Sequence, residues 1–553
     1  MSTSLNTRYL SVAGGIMPPP SETSILGTLP LELLLIVFKN IHSNRDRRNV
    51  CLVNKHCQGQ MTPLLWKSIS PDFQHVTPQS LAAFFNPNGN ILKHVKEFTI
   101  YEDERVTVNH RLLQRFLLSL PENQLKSLSL SSNRGMTYDQ LRIVLHRQRA
   151  IETLRVPVFE STHDFPLSGT PWVGEHIRKL QSLEINLRRE SFDMDLTTYR
   201  YLVASAPDLK SLQIRTHAHL RLTTEHFHNI RVNNMTLSTP STEILTKLEH
   251  LSLSFLDFAE TKEFLPEIDF LKLNSLRLNH CTNLGYFFRM LLPRFKRGLS
   301  RLEILEIERT NFKDNLNPEE VLEESEIINE FLESFQGLKE LYIVYHYALQ
   351  FENGGAREAH AIRAHASTLE VLCAGSARVI HCFDNLSLTG ILTECAKLKQ
   401  LGLTLFTDWK LFNLHHNRNL DDLSGHSGLI STAGGAERLK IIAKHANIQT
   451  LRILDCIFTF QDGDLTTYPL AGRTPERMTR AASAWTKDWA RNMIKYLKKR
   501  GSNIRVLAVY PHRICGPNYP KSRDLLVDAD GQLFPRYTYD VKVDYDHYTD
   551  LIL

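Results

Sequence analysis

One spacing of apolar positions recurs along most of the chain: apolar-x-x-apolar-x-apolar. It reads Leu125/Leu128/Leu130, Leu180/Leu183/Ile185, Leu209/Leu212/Ile214, Leu248/Leu251/Leu253, Leu273/Leu276/Leu278, Leu302/Leu305/Ile307, Leu338/Leu341/Ile343 and Leu398/Leu401/Leu403. Looser copies are Val95/Phe98/Ile100, Ile151/Leu154/Val156, Ile448/Leu451/Ile453 and Ile504/Leu507/Val509, and Leu369/Leu372 is a partial one. The last two apolar places alternate across a single residue, which predicts a short strand with one face in a core. The middle positions stand 25 to 56 residues apart, most of them 25 to 31. One such phrase would arise by chance in any Leu-rich segment; a dozen at near-regular spacing predict a repeat array.

The stretches between phrases carry helix signals. Asn317-Pro318-Glu319-Glu320 supplies a cap, a Pro in the first turn and acids at the positive end of the dipole. Behind it Val321, Ile328, Phe331, Leu332 and Phe335 fall on one face. Thr474-Pro475-Glu476 opens another helix, with Met478, Trp485, Trp489, Met493 and Leu497 at helical spacing and Arg500-Gly501 as its end. Trp485 and Trp489 read as a buried helix face rather than a ligand cage. A strand–turn–helix unit cannot bury its apolar faces alone, so the units are expected to stack into an α/β leucine-rich-repeat solenoid, curved, with a parallel concave sheet. Asn133, Cys281 and Cys456 stand three residues after a phrase, where a polar side chain can satisfy the turning backbone. Two segments break the pattern. Residues 408–438 are rich in Gly, Asn, His and Ser and read as an inserted loop. Residues 524–553 hold seven Asp against Arg536 and Lys542, a local balance of −5, and read either as an acidic docking tail or as a terminal strand sealing the last repeat.

Residues 26–69 do not repeat. Thr28 is placed to cap a helix with Pro30 and Glu32 in its first turn, and Leu33, Leu34, Val37, Phe38 and Ile41 follow at helical spacing. A polar turn from Ser43 to Arg48 separates these from Val50, Leu52 and Val53, and then from Leu64, Leu65, Trp66 and Ile69. Two or three short helices in so small a unit bury their apolar surface poorly, which suits a docking module completed by a partner. The resulting division is a flexible tail at 1–24, the helical module at 25–70, the solenoid at 71–515 with its inserted loop at 408–438, and a terminal segment at 516–553.

Composition narrows the class. The 553 residues are 42% hydrophobic and 23% charged, ordinary globular usage, which excludes wholesale disorder. A net charge of +5 is too thin to argue for a nucleic-acid partner. The eight Cys include no C-x-x-C pair and are too sparse for a disulfide framework, so a reducing compartment, cytoplasm or nucleus, is expected. No apolar run approaches the ~18 residues of a membrane span.

The N-terminal residues then carry a resemblance. Leu29-Pro30-x-Glu32-Leu33-Leu34-x-x-Val37-Phe38, Cys51-Leu52-Val53-Asn54-Lys55 and Leu64-Leu65-Trp66-Lys67-Ser68-Ile69 closely resemble an F-box, and the Pro-Leu-Leu-Trp ending is similar to its fungal branch. The resemblance covers about 44 residues; Val37 stands where Ile is commoner, and Asn49-Val50-Cys51 is an atypical lead into the second helix. It implies a three-helix module that docks on the Skp adaptor and, through it, the cullin of a ubiquitin ligase. By carry-over, Leu29, Pro30, Leu33, Leu34, Phe38, Leu52, Val53 and Trp66 bury against that adaptor. A plain helical cap on the first repeat would explain amphipathic helices but not these three phrases together.

No motif supports catalysis. The pairs His217/His219, His226/His228 and His415/His416 lack the i, i+4 arrangement with Glu of a zinc protease. Gly425-His426-Ser427-Gly428 fails G-x-S-x-G because residue 429 is Leu, and neither a P-loop nor G-x-G-x-x-G is present. Cys51 reads as packing. The basic clusters Arg142, His146, Arg147, Arg149 and Lys495, Lys498, Lys499, Arg500 fit solvated helix ends. No catalytic residue, metal or cofactor is therefore expected. Alternation within the phrases turns Arg215, Arg277, Glu306, Glu308, Tyr342 and Arg452 away from the core, a mixed-sign set suited to a protein substrate. The expectation is a substrate-recognition subunit without chemistry of its own. Its rivals are a repeat scaffold with no part in ubiquitin transfer and, more remotely, a hydrolase built on a pocket around His415 or His426.

Overall fold

The computed structural model describes residues 30–41, 43–70, 91–101, 116–131, 136–156, 159–160, 177–187, 202–203, 206–216, 222–223, 245–258, 268–309, 318–345, 355–376, 383–405, 433–456, 459–461, 493–510, 513–515, 524–527 and 533–536. These form a mixed α/β structure organised by one sheet whose strands follow each other in chain order. Fourteen strands are parallel: β1 (Ser68–Ile69), β2 (Glu97–Tyr101), β3 (Ser127–Ser131), β4 (Thr153–Val156), β5 (Ser182–Leu187), β6 (Ser211–Thr216), β7 (His250–Ser254), β8 (Ser275–Asn279), β9 (Ile304–Arg309), β10 (Glu340–Tyr345), β11 (Val371–Ser376), β12 (Gln400–Leu403), β13 (Thr450–Cys456) and β14 (Val506–Tyr510). Two antiparallel strands, β15 (Asp524–Val527) and β16 (Leu533–Arg536), close the far edge.

Every apolar phrase, the looser copies included, falls on one strand from β2 to β14, and the register puts equivalent positions side by side. Leu251 pairs with Leu276, Leu276 with Leu305, Leu305 with Leu341 and Leu341 with Leu372. The partial copy at Leu369/Leu372 is completed by Ala374, which pairs with Leu403 and is 5% exposed. The first apolar residue of each phrase, Val95 through Ile504, is buried just before its strand. Each junction also repeats one hydrogen-bond device. A single carbonyl accepts the N–H groups of two consecutive residues in the next coil: Lys67 takes Lys96 and Glu97, Asn274 takes Glu303 and Ile304, and Gln449 takes Arg505 and Val506. A carbonyl has the two lone pairs this needs.

After α1 (Leu31–Lys39), α2 (Asn44–Cys51) and α3 (Lys55–Leu65) of the N-terminal module, helices pack against the core side of the sheet: α4 (Tyr138–Arg147), α5 (Leu284–Phe295), α6 (Pro318–Glu333), α7 (Ala356–Arg363), α8 (Asn385–Glu394) and α9 (Ala433–Ala443). Aromatic rings link successive coils, from Phe258 to Phe287, Phe288, Phe331 and Phe335 at centroid separations of 4.6 to 5.5 Å. His365 ends the series, 5.0 Å from Phe335. On the outside the helices are joined by ion pairs, Arg289–Glu323, Lys296–Glu330 at 2.7 Å, Arg357–Glu326 and Arg363–Glu394 at 2.7 Å. Exposed pairs of this kind contribute about 0–1 kcal/mol each, so the buried rings and leucines carry the packing.

Three sequence expectations change. The segment Ser43–Arg48 is not a polar turn: Asn44–Cys51 is helical, capped by Ser43, whose hydroxyl accepts from the Asp46 N–H at 3.4 Å. Its residues are almost all polar, so no apolar period betrayed it. The end of the supposed insertion is helix, because Leu439, Ile442 and Ala443 of α9 enter the core and buried Arg438 donates to the Leu405 carbonyl at 2.9 Å; residues 408–432 lie outside the described ones. Of the two readings of the terminal segment, residues 524–527 and 533–536 fit the sealing one, as antiparallel strands added beside β14. Elsewhere α6 starts at Pro318 as expected, with Ile328, Phe331, Leu332 and Phe335 buried. Cys281 is buried with its thiol 3.4 Å from the Leu253 carbonyl, and burial pushes that thiol up to about 12. Met493 and Leu497 are buried and Gly501 has φ 81°, the left-handed helix end expected there; Trp485, Trp489 and Asn133 lie outside the described residues.

His365 gives the core a pH response. Fully buried, it is held down to about 4 by desolvation, against which the nearby Leu332 carbonyl pulls only weakly. The unfolded chain binds this proton below about 6.5 and the folded chain only near 4, so its contribution is intact above that window and lost as pH falls through it. His365→Leu should flatten the curve of unfolding free energy against pH between 6.5 and 4 by about 3 kcal/mol relative to the natural chain. Parallel curves for the two proteins in urea titrations would refute the assignment.

Candidate interaction surfaces

The N-terminal module consists of α1 (Leu31–Lys39), α2 (Asn44–Cys51) and α3 (Lys55–Leu65). Pro30 is the residue before α1 rather than inside its first turn, its ψ of 145° being extended, while Glu32 does sit at the positive end of the helix. Asn54, the Asn of the Leu-Val-Asn-Lys phrase, caps α3 by accepting the Cys57 N–H at 2.7 Å. Leu34, Phe38, Cys57 and Met61 make a small core, with Ile41, Val50, Cys51 and Leu64 around it. Cys51 is thus packing, its thiol raised first by burial. Arg47 ties the three helices together, donating from Nε to the Ile41 carbonyl at 2.6 Å and from Nη1 to the Leu64 carbonyl at 3.4 Å.

α1 is apolar nearly all round, and only one side is used by that core. Leu33, Ile36 and Val37 are 47%, 55% and 42% exposed, and Leu52 and Val53, between α2 and α3, are 83% and 66% exposed. Five of the ten large apolar side chains left exposed among the described residues therefore lie within 21 consecutive positions. A helix apolar on both faces with one face open marks an interaction surface.

The eight residues carried over from the F-box resemblance divide accordingly. Leu33, Leu52, Val53 and Pro30 are exposed; Leu29 lies outside the described residues. Leu34 and Phe38, at 1% and 3% exposure, are already inside the module's own core and are not open to a partner. Trp66 packs on the repeat core instead. The residues after it continue as β1, which pairs Ser68 with Glu97 and Ile69 with Phe98, and Lys67 forms an ion pair with Glu97 at 2.7 Å. Ile36 and Val37 belong to the open face and had a sequence signal, the 33, 36, 37 spacing opposite to 34 and 38.

The sheet face opposite the core is the second surface. By register it carries Arg155, Glu184, Gln213, Ser252, Arg277, Glu306, Tyr342, Cys373, Gly402 and Arg452 in one row. All six residues expected to point away from the core do so, yet four are not solvent-facing. Glu306, Glu308, Tyr342 and Arg452 are 0%, 8%, 4% and 3% exposed. The cause is a second, smaller apolar cluster on this face, Tyr342, Val344, Cys373 and Leu454 with Val371 beside it. Packing there is so close that a Cβ at Gly402 would stand 2.7 Å from the Cys373 sulfur. Burial above all, and then the Glu340 carboxylate to which its hydroxyl donates at 3.3 Å, holds the Tyr342 phenol far above its ordinary range.

From β3 to β8 the same face is polar and mostly accessible, Ser254 and Ser275 at 5% and 3% exposure excepted. Ser127, Ser129, Thr153, Ser182, Ser211, Gln213 and Ser252 are half-buried, and Arg155 pairs with Glu184 at 3.3 Å. Arg277 leans on Glu306 at 3.6 Å, and Arg215 lies over the Phe255 ring, 5.9 Å from its centroid. Arg155 and Glu184 share the place in the phrase that Arg277 and Arg452 hold, so the sequence pattern that selected those two could have found them.

Among the described residues no three His, Cys, Asp or Glu side chains converge as a metal site, and no helix is long and apolar enough to cross a membrane. His217, His219, His226, His228, His415, His416 and His426 lie outside the described residues, while His146, Arg149, Lys495, Lys498, Lys499 and Arg500 are exposed, Arg500 over the Tyr496 ring at 3.5 Å.

Trp66→Ala should loosen the joint between module and sheet, costing about 2 kcal/mol as a partly buried large-to-small change. Hydrogen exchange should rise in residues 66–70 and β2 but not in β8–β10; unchanged exchange around β1 would show that Trp66 holds nothing. No family model matches the chain, and no curated protein matches it.

Proposed function

We propose that the chain is a non-catalytic substrate receptor of a Skp–cullin–F-box ubiquitin ligase. Residues 25–70 act as the F-box and hold the Skp adaptor, and through it the cullin, while the sheet belongs to a curved leucine-rich-repeat solenoid that holds a protein substrate on its concave side. The observation that carries this reading is α1: its Leu34 and Phe38 close the module's core while Leu33 and Val37, both positions of the F-box phrase, stay uncovered with Ile36 between them. The accessible polar part of the open face, β3 to β8, offers hydroxyls, amides and charges of both signs for a protein surface. Ubiquitin transfer then needs only that the substrate's lysines be held near a conjugating enzyme, a proximity effect to which a fixed joint at β1 contributes. Such a receptor works in the cytoplasm or the nucleus.

The scaffold reading has one observation in its favour, since Trp66 and β1 also cap the first repeat. A cap alone would not leave Leu33, Ile36, Val37, Leu52 and Val53 in water.

Co-purification with the Skp adaptor tests the proposal. Leu33→Asp with Val37→Asp should abolish capture while leaving the melting temperature unchanged, because both side chains are exposed; Leu29→Ala with Pro30→Ala should weaken it. Equal adaptor recovery with all variants, or none with the natural chain, would sink the receptor reading and leave the scaffold.

A further inference from the structure

We infer that the open face binds an extended peptide segment through an anionic side chain next to an apolar one, on a ledge made by Arg215, Phe255 and His280 where β6, β7 and β8 end. Only the peptide's being part of a ligase substrate rests on the receptor reading above. Three arginines stand on this face from β4 to β9, and the register decides what each meets on the following strand. Arg155 is opposite Glu184 and Arg277 opposite Glu306, and both form the resulting ion pairs, at 3.3 and 3.6 Å. Arg215 is opposite Ser254, with Asn186 on its other side, so neither neighbour offers a carboxylate. It is half-buried and lies over the Phe255 ring instead, without an ion pair among the described residues. A guanidinium stacked by its flat face keeps its planar fork of N–H donors for a carboxylate or a phosphate.

The ring beneath it is held by backbone that costs free energy. Phe255 has φ 62° and His280 has φ 57°, the left-handed region that a bulky residue rarely enters and glycine occupies freely. Each is the first residue after its strand, and their rings meet at 4.6 Å between centroids. Both turns are fixed by main-chain bonds: the Phe255 N–H donates to the Asn279 carbonyl and the Thr282 N–H to the Leu256 carbonyl, each at 2.8 Å, and the His280 N–H to the Glu308 carbonyl. The carboxylates here are engaged, Glu308 lying 3.7 Å from His280 Nε2 and Asp257 accepting from the Asn283 amide at 2.5 Å. Strain of this kind clusters at binding surfaces, and what it presents, an aromatic ring under an arginine, is the pair of residue types that anchors interfaces. Ser211, Gln213 and Ser252, half-buried, carry hydroxyl and amide groups along the same face for an extended backbone. One guanidinium without a carboxylate, with Glu184 and Glu308 on the same face, suits a single anionic side chain rather than a phosphate backbone, which needs several cations in line.

The test pans a phage-displayed library of random twelve-residue peptides on the full chain. Peptides held by the natural chain should be enriched in Asp or Glu beside Phe, Tyr, Leu or Ile. Arg215→Glu should lose that acid enrichment and bind the selected peptides at least about thirtyfold more weakly, the loss of one anchor residue. Phe255→Gly should weaken them similarly while leaving the melting temperature unchanged, because glycine takes φ 62° without strain. Resynthesis with phosphoserine in place of the selected acid identifies the anion: tighter binding assigns phosphate, weaker binding carboxylate. Equal acid content on the natural and Arg215→Glu chains, full affinity for Phe255→Gly, or no peptide retained by the natural chain would each overturn the inference while leaving adaptor capture untouched. Selection of these peptides by a natural chain that captures no Skp adaptor would uphold the ledge and remove the receptor reading.

Discussion

One carbonyl per coil, accepting two N–H groups from the coil that follows, is the constraint on which this architecture depends. It recurs at every junction from Lys67 to Gln449, whether the next coil begins 26 or 56 residues later. Hydrogen bonds of this kind contribute only about 0.5–1.5 kcal/mol each, whereas each buried leucine of a phrase contributes about 1.5–3. Burial therefore supplies the stability and the carbonyl device supplies the register. A slip of one residue would turn Leu276, Leu305 and Leu341 to the open face and Arg277, Glu306 and Tyr342 into the core, so register and burial enforce each other. Because the device is local to the strand entry, the segments between strands are free to differ in length.

The same device reaches back into the N-terminal module. Lys67 is both the first acceptor of the series and the second residue after Pro-Leu-Leu, so the last turn of α3, Trp66 and β1 form the starting coil of the sheet. The module's apolar residues thus divide by face. Leu34, Phe38, Cys57 and Met61 hold it together, Trp66 and Ile69 fix it to the repeats, and Leu33, Ile36, Val37, Leu52 and Val53 remain exposed on α1 and between α2 and α3. A joint made of buried aromatic surface and strand hydrogen bonds, rather than of Gly- or Ser-rich chain, passes the orientation of one surface to the other.

The open face is likewise divided. From β3 to β8 small hydroxyl side chains leave the backbone approachable, while from β9 to β13 Tyr342, Val344, Cys373 and Leu454 exclude water and take Glu306 and Arg452 with them. Charge buried in that half is held among neighbouring polar groups and cannot serve as readout without an opening of the apolar cluster. The half of this face that solvent reaches is the one where side chains are short.

The apolar phrase by itself determined the strands, their order, their parallel pairing and which side of each faces the core, because period-two alternation and near-constant spacing are local properties that every coil repeats. It also determined α6, through Pro318 and its acids, and the presence of helices in the module. It missed α2, where Arg, Asp and Asn leave no apolar period, and it left open whether 524–536 joins the sheet. Tertiary structure alone decided which apolar residues of α1 are spent internally, that Trp66 belongs to the repeats, and that Glu306, Tyr342 and Arg452 are shut away. Alternation says which way a side chain points. Whether anything stands in front of it depends on residues far away in the chain, and that only the packed structure decides.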